Sequence, residues 1–279
     1  MSPNDRQFFS DALADWQDKP RWVEAWVAAR PNSASAWLMH GAEAINRAWR
    51  ERNSTIPERQ QGENNQRFTS RLRQADESLA RAAELDPGDA TPWSWMIRSA
   101  IGLKLDDAEI ERRFNEAVRR APNHRQAHSA RLQSLASKWG GSNDQVWRFV
   151  RHATAGVGPG SPLHVLVAEA HIETWFASAQ HHGTVSSTFF RDPAIQRSLI
   201  AASHDAFEPE AFHPSIDSLR NRNYFAFCLW KAGLLEHAAE HFAALGNRVT
   251  QSPWCFAGDP VTAFTEARSE SCTSRRAAA

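Results

Sequence analysis

The sequence contains no long apolar run. Its longest apolar segment, from His164 to Ile172, is interrupted by Glu169 and His171 and is far shorter than a bilayer crossing. The first residues read Met-Ser-Pro-Asn-Asp-Arg-Gln and no apolar stretch follows them, so a signal peptide is not expected. The sequence therefore predicts a soluble protein with no membrane partner.

Cysteine is scarce, and its copies show no pairing pattern. Cys228, Cys255 and Cys272 are odd in number, lack CxxC spacing and lie in the last third of the chain. This usage argues against a disulfide framework and a thiolate zinc motif, and it predicts the reduced cytoplasm as the location. Cys228 stands between Phe227 and Leu229 and is predicted to pack as a small apolar side chain.

An excess of one charge is also missing. Lys and Arg number 32, Asp and Glu number 32, and the sequence pI is about 7.2. A general nucleic-acid binder carries a basic excess, so this balance does not favour nucleic acid as the partner. One stretch, from Arg112 to Lys138, is locally basic, with Glu116 inside it and Glu111 before it. We expect a solvated outer face there, although an acidic or phosphorylated protein partner is also compatible.

Three prolines reveal a repeat. The segments Pro31–Trp37, Pro87–Trp93 and Pro122–His128 share one spacing, in which a turn-forming stretch leads to a large ring six places after the Pro. Each segment predicts the end of one helix, a turn and the start of the next helix, with the ring on the buried side. Trp37 and Trp93 are therefore predicted to be equivalent buried anchors.

The helices that follow carry small and large apolar residues at matching intervals. The sets are Ala75, Leu79 and Ala82 before Pro87; Ile110, Phe114 and Ala117 before Pro122; and Phe225, Ala226, Leu229, Gly233, Ala238, Phe242 and Leu245 near the C-terminus. This alternation allows two helices to pack closely, and Gly233 marks the tight turn between them. The pattern resembles the tetratricopeptide family, whose repeat is about 34 residues long. The resemblance implies an all-α fold of helix pairs stacked in a right-handed superhelix, with an irregular fourth unit.

Two segments depart from the repeat. Residues Glu51–Gln66 are rich in polar side chains and are predicted to be an inserted solvated loop or fraying helix. Gly156–Pro162 combines three Gly with two Pro and is predicted to break the helices and act as a hinge. We therefore expect helix pairs in 1–155 and an irregular segment with a C-terminal pair in 156–279, within one continuous domain. Long helices are predicted over His164–Gln180 and Pro193–Ala206.

The segment Lys138-Trp-Gly-Gly-Ser142 interrupts the third pair. Its two adjacent glycines permit backbone angles that other residues resist, and Trp139 can anchor the loop that they shape. This segment, with the Trp-rich N-terminal half and Pro253-Trp254, resembles a family of uncharacterised bacterial proteins with a similar Lys-Trp-Gly-Gly-Ser signature. That resemblance implies no particular activity.

The histidines are natural candidates for a metal site or a general base, but none completes a motif. His237 and His241 lie four residues apart without the Glu of a His-Glu-x-x-His site, so a solvated helix face is expected. Glu210 and His213 have the spacing of di-iron bundles, but the motif occurs once and prolines bracket it, so a loop is expected. His164 and His171, with nearby glutamates, are predicted to line a core or a groove.

Known catalytic motifs are missing as well. The sequence has no phosphate loop, dinucleotide fingerprint, kinase signature or nucleophile elbow. Cys255 lies in a turn-rich segment, but no His partner for it can be identified. We therefore predict no catalytic residue, no metal site and no cofactor.

Two functions remain open at the level of sequence. Stacked helix pairs form a groove lined by the first helix of each pair, which suits a peptide or a partner helix, so a binding scaffold is the leading hypothesis. The alternative is an enzyme or enzyme accessory with a pocket in residues 156–214. Its candidate residues are His164, His171, His204 and His213.

The tetratricopeptide register predicts which residues face the groove. They are Ser94, Arg98, Ser129, Gln133, Asn223, Phe227 and Lys231. The set holds two cations and no carboxylate, so the resemblance implies a protein or peptide partner with an acidic segment. The competing interpretation is that these residues are merely solvated and that the outer face or the insert at 51–66 binds the partner.

Overall fold

The structure, a computed structural model, describes residues 1–15, 21–53, 61–182 and 186–278. Within these ranges the chain is helical and has no strand, which confirms the all-α class. The chain divides into two compact units, Met1–Ser134 and Leu135–Ala279. No helix in the described ranges has the length and apolar character that a bilayer crossing requires.

The described residues of the first unit form seven helices. They are α1 Pro3–Ala14, α2 Arg21–Ala29, α3 Ala34–Asn53, α4 Gln61–Leu85, α5 Thr91–Leu103, α6 Asp107–Arg120 and α7 Arg125–Ser134. Helices α3 and α4 pack together, as do α5 and α6, and α4 also packs on α5. Glycine permits this closeness, because a Cβ at Gly41 would lie 2.6 Å from Leu79 Cγ and one at Gly102 would lie 2.5 Å from Leu72 Cδ1.

The turns that precede α3, α5 and α7 contain the same type of hydrogen bond, from a backbone amide to the carbonyl three residues earlier. The amide of Ser33 donates to Arg30 O at 3.0 Å, that of Asp89 to Asp86 O at 3.1 Å, and that of His124 to Ala121 O at 2.9 Å. The helix ends and helix starts predicted from the three prolines are thus confirmed. The small and large residues of the second helices are also buried as predicted, with Leu79 and Ala117 both 0 % exposed.

The aromatic anchors differ from the prediction. Trp37 and Trp93 are only partly buried, and the fully buried indole of α5 is Trp95. Trp37 stays beside its turn because its Nε1 donates to Pro31 O at 2.7 Å. Trp93 lies under the guanidinium groups of Arg112 and Arg120, 5.5 and 5.0 Å from its ring centroid, so cationic side chains cover part of the ring.

The predicted insert at 51–66 is helical at both ends. Residues 51–53 complete α3 and residues 61–66 begin α4, while 54–60 lie outside the described residues. The ends of the segment therefore extend the first helix pair.

Where the structure describes the second unit, it contains seven further α-helices. They are α8 Asn143–Ala155, α9 Val165–His182, α10 Pro193–Ala206, α11 Ser218–Lys231, α12 Leu235–Leu245, α13 Gln251–Trp254 and α14 Pro260–Ala278. Helices α9, α10 and α11 pack on one another, and α12 packs on α11 and α14. Their core includes the fully buried Phe225, Phe242 and Trp254.

The C-terminal pair α11 and α12 joins at the predicted glycine. Gly233 has φ +75°, a left-handed angle that glycine adopts without strain. The amide of Leu234 donates to Leu229 O at 2.9 Å and that of Gly233 to Trp230 O at 2.9 Å, which ends α11. The apolar pattern predicted for this pair is therefore confirmed as a packed helix pair.

The glycine-rich segment 156–162 ends α8, as predicted, but it is held in place. Gly160 has φ +79°, and its amide donates to Asp205 O at 2.7 Å. A Cβ at this position would clash with the backbone carbonyl of Ala211. The segment is thus a close backbone contact with the end of α10 and the loop after it, a role that the prediction of a hinge did not anticipate.

Candidate functional site: the surface beneath helix α1

Helix α1 lies across three helices that are preceded by the same kind of turn. It packs against α3, α5 and α7, each of which follows one of the three proline turns. We call the side of α3, α5 and α7 that α1 covers the first-helix surface. All of it lies within the unit Met1–Ser134.

The N-terminal half of α1 is held at two of the turns. Arg6 pairs with Asp86 at 3.0 Å and with Asp89 at 3.2 Å, in the turn before α5. Asn4 spans the turn before α7, since its Nδ2 donates to Asn123 O at 3.1 Å and its Oδ1 accepts from the amide of Arg125 at 3.0 Å. These contacts place the first turns of α1 over the starts of α5 and α7.

The middle of α1 meets the surface through a polar face. Gln7, Ser10 and Ala14, which share one side of the helix, are at most 3 % exposed. Ser10 Oγ accepts a hydrogen bond from Trp95 Nε1 at 3.0 Å, which satisfies the buried indole. On the opposite side Phe9 is 44 % exposed and Leu13 is 39 % exposed. The helix thus buries small and polar residues and leaves large apolar ones in solvent.

The C-terminal end of α1 meets the end of α3. Arg50 Nη1 lies 3.5 Å from Ala14 O and 3.4 Å from a carboxylate oxygen of Asp15. A cation near the last carbonyls of a helix is favourable, because it faces the negative end of the helix dipole. Both ends of α1 are therefore held by charged side chains.

Several buried polar atoms near these contacts are unsatisfied. Asp5 Oδ1, Gln7 Oε1, Ser94 Oγ and His124 Nε2 are shielded from solvent and find no hydrogen-bond partner among the described residues. Such atoms are rare in folded proteins, and each one costs free energy relative to its hydrated state. Helix α1 and the starts of α5 and α7 account for all four.

His124 is the most buried titratable group in this region. It is 0 % exposed, and its Nδ1 accepts a hydrogen bond from the Ala127 amide at 3.2 Å, which caps α7. Burial lowers the pKa of His124 to about 4, with a smaller contribution from His128, while Asp11 opposes the shift. A neutral ring that accepts at Nδ1 carries its proton on Nε2, so the unsatisfied atom is an N–H donor.

The predicted groove residues of the first unit divide into two groups. Ser94 is 0 % exposed and Ser129 is 6 % exposed, so neither is open to a partner as the register predicted. Ser94 is buried because α5 is covered by α1, α3, α4, α6 and α7. Arg98 and Gln133 are partly exposed. Arg98 donates to Asn46 Oδ1 at 3.1 Å, which joins α5 to α3.

The predicted groove residues of the second unit are mostly core residues. Asn223 and Phe227 are both 0 % exposed, which corrects their assignment to an open groove. Asn223 is buried because it ties the pair together, accepting from Trp254 Nε1 at 2.7 Å and donating to Arg248 O at 3.1 Å. Lys231 is partly buried, with its ammonium 4.6 Å from the Trp230 ring centroid.

The basic stretch 112–138 is not simply a solvated face. Arg113, Arg125 and Arg131 are at most 7 % exposed. Arg113 pairs with Asp76 at 2.8 Å and donates to Met96 O at 2.7 Å, which fastens α6 to α4 and α5. Sequence spacing missed this role because the acidic partner lies on a different helix.

The four histidines of the alternative pocket do not share one environment. His164 and His171 are buried, as expected of core residues, whereas His204 and His213 are exposed. His164 Nε2 lies 3.1 Å from Gly158 O, and His171 Nε2 lies 3.1 Å from Ser198 Oγ. In the part of the chain that the structure describes, no group of three or more His, Cys, Asp or Glu is arranged to hold a metal ion.

His241 corrects another prediction. It is 3 % exposed, stacked on Phe225, and its Nε2 lies 2.7 Å from Ser203 Oγ, so it does not belong to a solvated face. Burial, and to a smaller degree Arg222 and His237, lowers its pKa to about 3. The prediction for Cys228 is confirmed, since the thiol is fully buried and burial raises its pKa.

Comparisons with known proteins add no further information about this site. No protein-family model matches the sequence, and a search of curated proteins found no significant match.

Proposed function

We propose that this protein is a helical-repeat scaffold that binds a protein or peptide partner on the first-helix surface of residues 1–134. The observation that carries the proposal is the position of α1, a single helix in contact with α3, α5 and α7. That surface accommodates one helix along three successive units. It therefore has the extent that a partner helix needs.

The tetratricopeptide-like arrangement is part of this proposal. In stacked helix pairs the first helices line the concave side, which serves as the usual binding surface. The matching turns before α3, α5 and α7 support this arrangement, as does the Asn46–Arg98 contact between two first helices. A right-handed superhelix would place α1 inside the groove.

We further propose that the partner is acidic. Helix α1 with its C-cap carries Asp5, Asp11 and Asp15 against the single cation Arg6, so the surface already holds an acidic segment. Arg50 contacts Asp15 at the end of that segment. Arg98 is a second, partly exposed cation on the same helices. A partner with carboxylates near its C-terminal end would meet the same cations.

Charge reversal tests the proposal. The full-length protein is immobilised, and retained proteins are compared between the wild type and the double variant Arg50→Glu with Arg98→Glu. A matched double variant, Arg81→Glu with Arg119→Glu, reverses the same charge on the second helices α4 and α6, where both side chains are exposed. The genuine partner is lost from the first variant and kept by the second. Equal retention on both variants contradicts the proposal.

A further inference from the structure

The face of α1 that docks is the opposite of the one that a surface helix normally buries. A helix on a globular protein turns its apolar side inwards. Here Gln7 and Ser10 are buried, whereas Phe9 and Leu13 are exposed. Helix α1 therefore docks through buried polar residues in addition to Ala14, which is fully buried in the hydrophobic core of the first unit.

The charged contacts of this docking differ in strength. Arg6 with Asp86 and Arg50 with Asp15 pair through exposed or partly exposed side chains, and such pairs contribute little stability. Arg6 also pairs at 3.2 Å with Asp89, whose side chain is 4 % exposed. The unsatisfied atoms of Asp5, Gln7 and His124 oppose docking, because each is shielded from water and has no hydrogen-bond partner in its place. Covalent attachment holds α1 at a high effective concentration, so even a weak docking site stays occupied.

We infer that α1 is the chain's own occupant of the first-helix surface, and that an acidic partner helix binds by displacing it. This inference rests on the proposed function and specifies the regulation of that same site. The full-length protein is then autoinhibited. The apparent affinity for the partner is lowered by the fraction of molecules in which α1 is docked.

The contacts of α1 also define the pattern that a displacing helix carries. An Asn or Asp near its start accepts from the Arg125 amide, as Asn4 does. A small hydroxyl residue two turns later accepts from Trp95 Nε1, as Ser10 does. A carboxylate at its end meets Arg50, as Asp15 does. Large side chains belong on its outer face.

The test uses the full-length protein and a labelled synthetic peptide of residues 1–15 as the probe. The variant Ala14→Lys places a long cation at a site that is 0 % exposed and close to Arg50, which expels α1. The matched control Ala12→Lys makes the same change at an exposed position of the same helix. Fluorescence anisotropy measures the dissociation constant of the peptide for each protein.

We expect the peptide to bind Ala14→Lys at least about tenfold more tightly than it binds the wild type or Ala12→Lys. Hydrogen exchange should show lost protection in α1 of Ala14→Lys and retained protection in α4. If Ala14→Lys does not unfold cooperatively, it is not properly folded, and the same peptide measurement is made with Arg6→Ala instead. That variant removes the ion pairs with Asp86 and Asp89 at a partly exposed site.

Equal dissociation constants for the variants, or no binding to any of them at millimolar peptide, overturn the inference. The peptide experiment needs no natural partner, so its failure is distinct from failure of the charge-reversal experiment. A third outcome separates the two proposals. If retention of a partner depends on Arg50 and Arg98, but is equal for Ala14→Lys and the wild type, the proposed function stands and autoinhibition is overturned.

Discussion

Among the described residues, burial lowers the pKa of four histidines, two in each unit, namely His124, His128, His171 and His241. The pKa of His124 and that of His171 are lowered to about 4, and that of His241 to about 3, chiefly because burial disfavours the charged ring. The unfolded chain therefore binds protons first as the pH falls below about 6.5. The stability that these neutral rings contribute is present above that pH and is lost as the pH falls towards 4.

The first prediction isolates one of these rings. Replacing His171 by Phe should reduce the slope of unfolding free energy against pH, between pH 6.5 and 4.5, by about 1.4 kcal/mol per pH unit. Urea unfolding followed by circular dichroism at several pH values measures the slope. Ser198→Ala is the control, because it removes the hydrogen bond at 3.1 Å and leaves the ring in place. An unchanged slope in His171→Phe would show that the ring does not titrate with unfolding.

The second prediction concerns the indoles of α5. Trp95→Ala should lower the free energy of unfolding by about 3–5 kcal/mol, because the side chain is fully buried and its loss leaves a cavity. Trp93→Ala should cost clearly less, since that ring is only partly buried. Urea titrations of the two variants compare them directly. Equal losses would show that Trp93 is as strong an anchor as the sequence predicted.

At the scale of elements, the turn after the 3-10 helix Ser137–Trp139 requires two glycines. Gly140 has φ +93°, and a Cβ at Gly141 would clash with the carbonyl oxygen of Leu135. The loop is therefore shaped, as the sequence predicted. The indole of Trp139 is 36 % exposed, so the ring is not a buried anchor. Lys138 instead joins this turn to α9, since it pairs with the buried Glu173 at 2.9 Å.

The third prediction follows from this turn. Gly141→Ala should destabilise the second unit by about 1–3 kcal/mol, because the backbone must move to admit the methyl group. Gly156→Ala is the matched control, since its φ is −108° and no atom lies within 4 Å of the added Cβ. There the change should be neutral or stabilise by up to about 1 kcal/mol. Thermal unfolding of both variants provides the measurement, and equal melting temperatures would argue for a passive spacer.

Sequence predicts those elements that local chemistry determines. The range Pro193–Ala206 is correct for α10 at both ends, because Asp192 caps the helix by accepting from the Ala194 amide at 2.7 Å and Pro fills the first position. The proline turns are equally local. Helix α1 was not distinguished by sequence, because its docking face is polar and hydrophobic periodicity favours the side that carries Phe9 and Leu13.

The candidate site was predictable only in its outline. The tetratricopeptide register indicates that first helices carry the surface, and α1 does lie on first helices. The burial of Ser94 depended on knowing what covers α5, and part of that cover comes from a helix 85 residues earlier in the sequence, as the Ser10–Trp95 bond shows. Such a long-range contact leaves no periodic trace in either segment. Asn223 is buried instead by contacts within the second unit, with Arg248 O and Trp254 Nε1.

At the scale of the whole molecule, the charges balance, so the salt dependence of binding can be used to detect local ion pairs. Basic and acidic residues balance at 32 each, so long-range steering of a partner by net charge is absent. Salt dependence of binding then reports local ion pairs, since charges more than about 10 Å apart are screened at 0.1 M salt.

The fourth prediction uses this property. Retention of the partner should fall as salt rises from about 50 to 500 mM, and Arg50→Glu should both weaken retention and flatten its salt dependence. Arg119→Glu, at a side chain that is 65 % exposed on α6, is the control and should keep the wild-type salt dependence. A partner whose retention rises with salt would indicate an apolar interface and contradict the acidic one.

The reach of Asn4 has a consequence for synthesis on the ribosome. Its hydrogen bonds join residues 119 and 121 positions apart in sequence, to Asn123 and Arg125. Helix α1 leaves the exit tunnel before α7 and therefore waits until α7 has emerged before its docking site is complete. Translation adds residues at about 5–20 per second, so the nascent chain spends several seconds with α3, α4 and α5 available while the contacts of Asn4 are missing. During that interval α1 can be held only by its contacts with α3, with α5 and with the turn before α5.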